Sequence, residues 1–88
     1  MYQPIRSSKD FGDLIRRCRQ LAGLTQAELA QRAGLETKQI SRIETATNVP
    51  GLNSILALCA ALDIELGIRE RDETGSSSQV AASIEDIF

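Results

Sequence analysis

Apolar side chains recur at Phe11, Leu14, Ile15, Cys18, Leu21 and Ala22. That spacing, i, i+3, i+4, i+7, i+10 and i+11, draws one apolar stripe on a helix. Ser7 with Asp10 three residues on gives a capped start, and Gly23 gives a left-handed stop. Arg16, Arg17 and Gln20 then fall on the wet side. Thr25-Gln26-Ala27-Glu28 has capping-box spacing, because the threonine hydroxyl can accept the Glu28 amide while the carboxylate reaches back. Leu24 and Leu29 stand at the two positions of a hydrophobic staple. A second helix therefore runs over 26–33 and stops at Gly34. A third fits 37–45 with Ile40 and Ile43 turned inward. Its cap is poorer, since Glu36 sits where Ser or Thr is preferred and Thr37 is the alternative. A loop over 45–51, punctuated by Asn48 and Pro50, leads to a last stripe of Leu52, Ile55, Leu56, Cys59 and Leu62, ending near Asp63.

From Ile64 the period changes to two: Ile64, Leu66 and Ile68 alternate with Glu65, Gly67 and Arg69. That alternation predicts a half-buried strand over 64–71. A lone strand on a helical domain is an exposed edge with no sheet to join. Antiparallel pairing with a twofold mate solves this, with Ile64, Leu66 and Ile68 covering a joint apolar surface formed with the fourth helix. The rival is a strand folded back on its own helices. Beyond Asp72 the composition turns to Gly, Ser, Thr and acids, too polar to offset the entropy of ordering. Three regions follow: a helical domain over 1–63, a dimerisation strand over 64–71 and a flexible acidic tail over 72–88.

Charge sharpens that division. The formal net charge is −2 over 88 residues. Residues 1–62 nevertheless carry eight basic side chains (Arg6, Lys9, Arg16, Arg17, Arg19, Arg32, Lys38, Arg42) against five acidic ones, a balance of +3. Residues 63–88 carry two against seven, a balance of −5. A basic module followed by an acidic appendage points to an anionic partner for the first. With no histidine, a catalytic Cys–His pair is impossible, and two cysteines 41 positions apart make no zinc pattern. Cys18 and Cys59 sit on apolar stripes as small core residues. Carboxylate pairs such as Asp10 and Asp13 lie on an exposed helix face and need no catalytic reading. The expectation is a non-enzymatic protein with no cofactor and no metal. No apolar run approaches the ~20 residues of a bilayer span, and no leader is apparent, so a soluble protein that stays where it is made is expected.

Helix, a turn at Gly34-Leu35-Glu36, then a second helix is the geometry that places one helix in a DNA major groove. The segment GLTQAELAQRAGLETKQISRIE over 23–44 resembles the helix-turn-helix of the XRE (phage-repressor) family. The resemblance extends from about Phe11 to Leu62. Its elements are the IRxxR run at 15–19, LTQxELA at 24–30, Gly34, IxxIE at 40–44, and Pro50 before the last helix. It implies an all-α fold of four to five short helices, lambda-repressor-like, with the C-terminal strand appended. It puts Gln26 against a phosphate and turns Thr37, Lys38, Ser41 and Arg42 toward base edges or phosphates. The periodicity agrees, because with Ile40 and Ile43 inward those four positions point outward. Gln39 sits at the rim; Arg16, Arg17 and Arg32 are candidate phosphate neutralisers, against the alternative of ordinary surface arginines. Matching family positions form an ion pair between helices 1 and 3, which implies that Arg19 and Glu44 are structural. One departure stands out. The family's usual glycine two residues after the glutamate is Ala46 here, and the loop that follows (Thr47, Asn48, Val49) lacks basic residues. Phosphate contacts there must come from hydroxyls, Asn48 or main-chain amides.

The short domain, IELGI after ALD, and an acidic tail ending in Phe88 are similar to the HipB-like antitoxins. That resemblance implies a homodimer on a palindromic operator, repression of its own operon, binding of a HipA-like serine/threonine kinase toxin, and a cytoplasmic, nucleoid-associated location in bacteria. A stand-alone repressor of the same family, without a toxin, is the alternative. The tail is either a docking or protease-sensitive segment or merely a disordered terminus.

Overall fold

The computed structural model describes residues 3–70. Four helices are present: α1 Ser8–Leu21, α2 Gln26–Ala33, α3 Thr37–Glu44 and α4 Leu52–Ala61. No strand occurs among the described residues, and the fold is all-α.

Helix starts follow from local chemistry. Ser7 caps α1 by accepting the Asp10 amide at 3.1 Å. Thr25 and Glu28 close a reciprocal box at α2, with the Glu28 amide on Thr25 Oγ1 at 3.1 Å and the Thr25 amide on Glu28 Oε1 at 2.9 Å. The hydrogen bond from the Thr25 amide holds the Glu28 carboxyl below its usual range. Glu36 is the N-cap of α3, and its amide is satisfied by Gln39 Oε1 at 2.9 Å.

The four helix ends share one device. Each passes into a residue with positive φ: Gly23 (73°), Gly34 (69°), Ala46 (59°) and Asp63 (57°). The next amide reaches back across the last turn, as Leu24 to Arg19 O, Leu35 to Ala30 O, Thr47 to Arg42 O and Ile64 to Cys59 O. This is the Schellman closure, which satisfies carbonyls the helix would otherwise leave bare. Glycine adopts that conformation freely and aspartate tolerates it, whereas alanine is strained there. Ala46→Gly is therefore expected to stabilise the domain by about 0.5–1 kcal/mol, after the extra entropy of glycine is subtracted. A urea titration showing a higher midpoint at unchanged slope is the check.

Each helix gives one side chain fully to the centre: Ile15, Leu29, Ile40 and Leu58. Phe11, Ala30 and Ile43 complete the core, with Ala33, Leu35, Ile55, Ala61 and Leu62 packed against it. Helix α3 packs on both α1 and α2, and α2 packs on α4. Gly12 makes the closest approach. A Cβ there would lie 2.3 Å from the Ile43 carbonyl oxygen, so α1 and α3 touch main chain to main chain.

Two helix ends and three side chains differ from expectation. Helix α3 ends at Glu44, with Thr45 as its C-cap, and α4 ends at Ala61. Leu21, Leu52 and Leu56 lie on the expected apolar stripes but are 81%, 64% and 46% exposed. The strand expected over 64–71 forms no ladder among the described residues. The Ile64 amide is already committed to the end of α4, at 2.7 Å from Cys59 O, and the described residues offer no second strand to pair. Leu66 and Ile68 are left exposed, Ile68 fully so. Residue 71 and the acidic tail over 72–88 lie outside the described residues.

Candidate nucleic-acid interface

Helix α3 is eight residues long, and its two sides differ sharply. Ile40 and Ile43 are 0% and 3% exposed, which turns Thr37, Lys38 and Arg42 to solvent. Ser41 is half-buried, as is Gln39, whose carboxamide oxygen is spent on the Glu36 amide. Gln39 thus fastens the start of the helix from the rim of the exposed face.

Behind that face lies an ion pair. Glu44 is on the last turn of α3, and Arg19 comes from the last turn of α1. Arg19 Nε donates to Glu44 Oε2 at 2.7 Å, and Nη2 donates to Oε1 at 3.0 Å. The remaining nitrogen, Nη1, donates to the Leu24 carbonyl at 2.9 Å. The side chains are 12% and 3% exposed, so the charges are held largely out of water. The hydrogen bond to Glu44 raises the guanidinium above its already high range, against the opposing effect of burial. Gln26, half-buried at the first position of α2, donates from Nε2 to Glu44 Oε1 at 3.2 Å.

Arg16 and Arg17 are both exposed but do not share a side. At about 100° per residue, Arg16 projects about 40° from the Gly12 line that touches α3, and Arg17 about 140°. Arg17 donates from Nη2 to Gln3 Oε1. Gln3 in turn lines a groove with Leu14 and residues 64–69. Asn48 is exposed in the α3–α4 loop. The neighbouring hydroxyls are turned inward: Thr45 Oγ1 donates to Ser41 O at 2.9 Å, and Thr47 Oγ1 to Arg42 O at 3.3 Å. Such back-bonding to the preceding turn is common for hydroxyl side chains at helix ends. The sequence offers the Thr47 hydroxyl to phosphate; a carbonyl of α3 takes it first. Gly12 is a packing position behind the face that the motif reading passes over, although a glycine inside a helical pattern is a signal of close approach.

A second apolar region opens away from α3. Ile5, Phe11, Val49, Pro50, Leu52, Ile55 and Leu66 border a groove of about 300 Å³. Cys18 and Cys59 are free thiols, and burial pushes the Cys59 thiol above its ordinary range. Among the described residues no cluster of three or more His, Cys, Asp or Glu side chains is placed to hold a metal. No helix among them is long and apolar enough to cross a membrane.

A family profile described as "Helix-turn-helix domain" matches residues 10–74. The chain belongs to the helix-turn-helix domain family. The uncharacterized HTH-type transcriptional regulator y4dL of Sinorhizobium fredii (strain NBRC 101917 / NGR234) is 40% identical over 52 residues, 59% of this chain. The helix-turn-helix chain spans 26% of that relative's length. The restriction-modification controller protein C.AhdI from Aeromonas hydrophila is similar in structure, with a TM-score of 0.64 at 36% identity. The match covers 66% of this chain and 88% of C.AhdI. HipB in a complex with an O2 20mer is similar with a TM-score of 0.72 at 25% identity, over 82% of this chain and all of HipB. HipB in a HipA-HipB-O2-O3 complex matches the helix-turn-helix fold equally, at 0.72 and 24% identity over 81% of this chain and all of that one.

Proposed function

We propose that this helix-turn-helix protein binds double-stranded DNA with the outward side of α3 in the major groove, as a twofold-symmetric repressor. The observation that carries the reading is the division of α3: Thr37, Lys38 and Arg42 stand exposed while Ile40 and Ile43 of the same two turns are buried. Lys38 or Arg42 reads guanine O6 and N7, and Thr37 and Ser41 read less selectively. Gln26, Arg16, Asn48 and the main-chain amides that start α2 and α3 meet phosphates. Arg17, whose guanidinium engages Gln3 on the other flank of α1, is a further candidate for phosphate.

Dimerisation is supported by apolar side chains that lack cover among the described residues: Val49, Leu52, Leu56, Leu66 and Ile68. Residues 64–71 of two chains pair antiparallel, and Ile64, Leu66 and Ile68 close over α4. The twofold axis then sets the recognition helices ~34 Å apart on a palindromic operator. The finer reading is a HipB-like antitoxin that represses its own operon and binds a HipA-like serine/threonine kinase toxin; the match over the full length of HipB supports it. The higher identity to C.AhdI favours a second reading, a stand-alone regulator with no toxin. A HipA-like reading frame beside this one, whose kinase product the purified chain inhibits, decides for the first; its absence decides for the second.

The test is fluorescence anisotropy with duplexes tiled across the DNA upstream of the protein's own reading frame, at two salt concentrations. Lys38→Ala and Arg42→Ala are each expected to lose ~1–3 kcal/mol at one operator position where they read a base, or to weaken all sequences alike where they touch phosphate. Unchanged binding by both variants overturns the proposal for α3. Light scattering is expected to give twice the chain mass at micromolar concentration, and a monomer overturns the dimer.

A further inference from the structure

We infer that Glu44 is a positioning residue for the DNA-binding face and acts through Gln26; the inference rests on the DNA-binding reading of α2 and α3. A carboxylate on the last turn of α3 lies at the negative end of the helix dipole, where its charge is disfavoured. Arg19 compensates it with two donors at 2.7 and 3.0 Å. The same Oε1 accepts a third bond, from Gln26 Nε2 at 3.2 Å. A carboxylate offers only acceptors, so it dictates which end of the carboxamide turns inward: the nitrogen.

That choice matters at the surface. Gln26 opens α2, flanked by exposed Thr25 and Ala27, where the first amides of the helix have no intrahelical partner. With one N–H pinned by Glu44, the second Nε2 hydrogen is left without a partner among the described residues, a donor fixed beside those amides. A phosphate oxygen is the matching ligand. Without the carboxylate, the amide turns over freely and presents its oxygen as readily as its nitrogen. Glu44 thus joins the buried link between α1 and α3 to the orientation of a side chain on α2.

A double-variant cycle isolates this role. Arg19→Met with Glu44→Met removes the acceptor together with both charges, so that no buried charge is stranded; Glu44→Gln does not serve, because a carboxamide donates as well as accepts. The parent and this double variant are each titrated against a mixed-sequence duplex two helical turns long, with and without Gln26→Ala, after thermal unfolding has shown a cooperative transition. Gln26→Ala alone is expected to weaken binding about fivefold, the worth of one net hydrogen bond. The double variant is expected to bind about twofold weaker than the parent, because a freely turning amide presents its nitrogen in about half of the molecules, and the difference vanishes in the Gln26→Ala background. The slope of log K against log salt stays unchanged, because no charge contacting phosphate is lost. Equal binding by the parent and the double variant, or a difference that survives Gln26→Ala, overturns the inference while leaving DNA binding standing. No binding by the unaltered chain overturns the DNA reading and the inference with it. In the unaltered chain, NMR hydrogen exchange at the Gln26 carboxamide is expected to show one protected hydrogen and a second protected only on adding the duplex. Two hydrogens equally exposed in the free protein overturn the inference without any substitution.

Discussion

Replacing Gly12 by alanine is expected to destabilise the domain by about 2–3 kcal/mol and to lower its melting temperature by about 10–20 °C. The added methyl would sit 2.3 Å from the Ile43 carbonyl oxygen and 3.0 Å from that of Glu44. Both are main-chain atoms near the end of α3, so no side chain can swing aside, and the two helices must part. Intrinsic preference pushes the other way, since alanine in a helix interior gains about 1 kcal/mol over glycine. The sign of the measured change therefore decides between the two effects. A melting temperature at or above that of the parent refutes the backbone contact.

The second large effect belongs to the ion pair. Glu44→Ala is expected to cost about 3–5 kcal/mol, because it leaves the Arg19 charge largely desolvated with only the Leu24 carbonyl for company. A domain of this size holds roughly 3–9 kcal/mol in total, so the variant is expected to be substantially unfolded at room temperature. Removing both charges is a different matter. Arg19→Met with Glu44→Met replaces the pair by apolar groups of similar length, and most of the lost stability returns. Circular dichroism melts of the three proteins test this order. A Glu44→Ala variant as stable as the parent would mean that the pair carries no net load.

The helix boundaries were largely legible because their signals are local. The Thr25–Glu28 box and Gly34 mark both ends of α2 within the chain's own sequence, and the observed helix is Gln26–Ala33. The exposed side of α3 followed from where Ile40 and Ile43 fall in a period of 3.6. What local pattern cannot convey is the partner of an apolar side chain. Leu21, Leu52 and Leu56 have the right spacing for burial, yet nothing among the described residues covers them. Alternation at Ile64, Leu66 and Ile68 likewise announces a strand without supplying a neighbour to bond it.

The other differences arise from competition at helix ends. Alanine as a residue type gave no hint of a left-handed turn at 46, because it is a helix former, and only the family's usual glycine at that place did; the closure of α3 imposes it. The Thr47 hydroxyl reads as a free donor along the chain but is captured by a carbonyl one turn back, as is that of Thr45. Arg16 and Arg17 are sequence neighbours, and only the 100° step between them sends one toward α3 and the other to Gln3.

The contact at Gly12 also bears on how this protein can diverge. Where two helices meet through side chains, their spacing drifts as residue volumes change. Here rigid peptide groups abut, so trimming or enlarging neighbours cannot gradually tilt α3 against α1. Divergent copies of this chain must therefore change what they read by exchanging the groups displayed on α3, with the angle of presentation inherited intact.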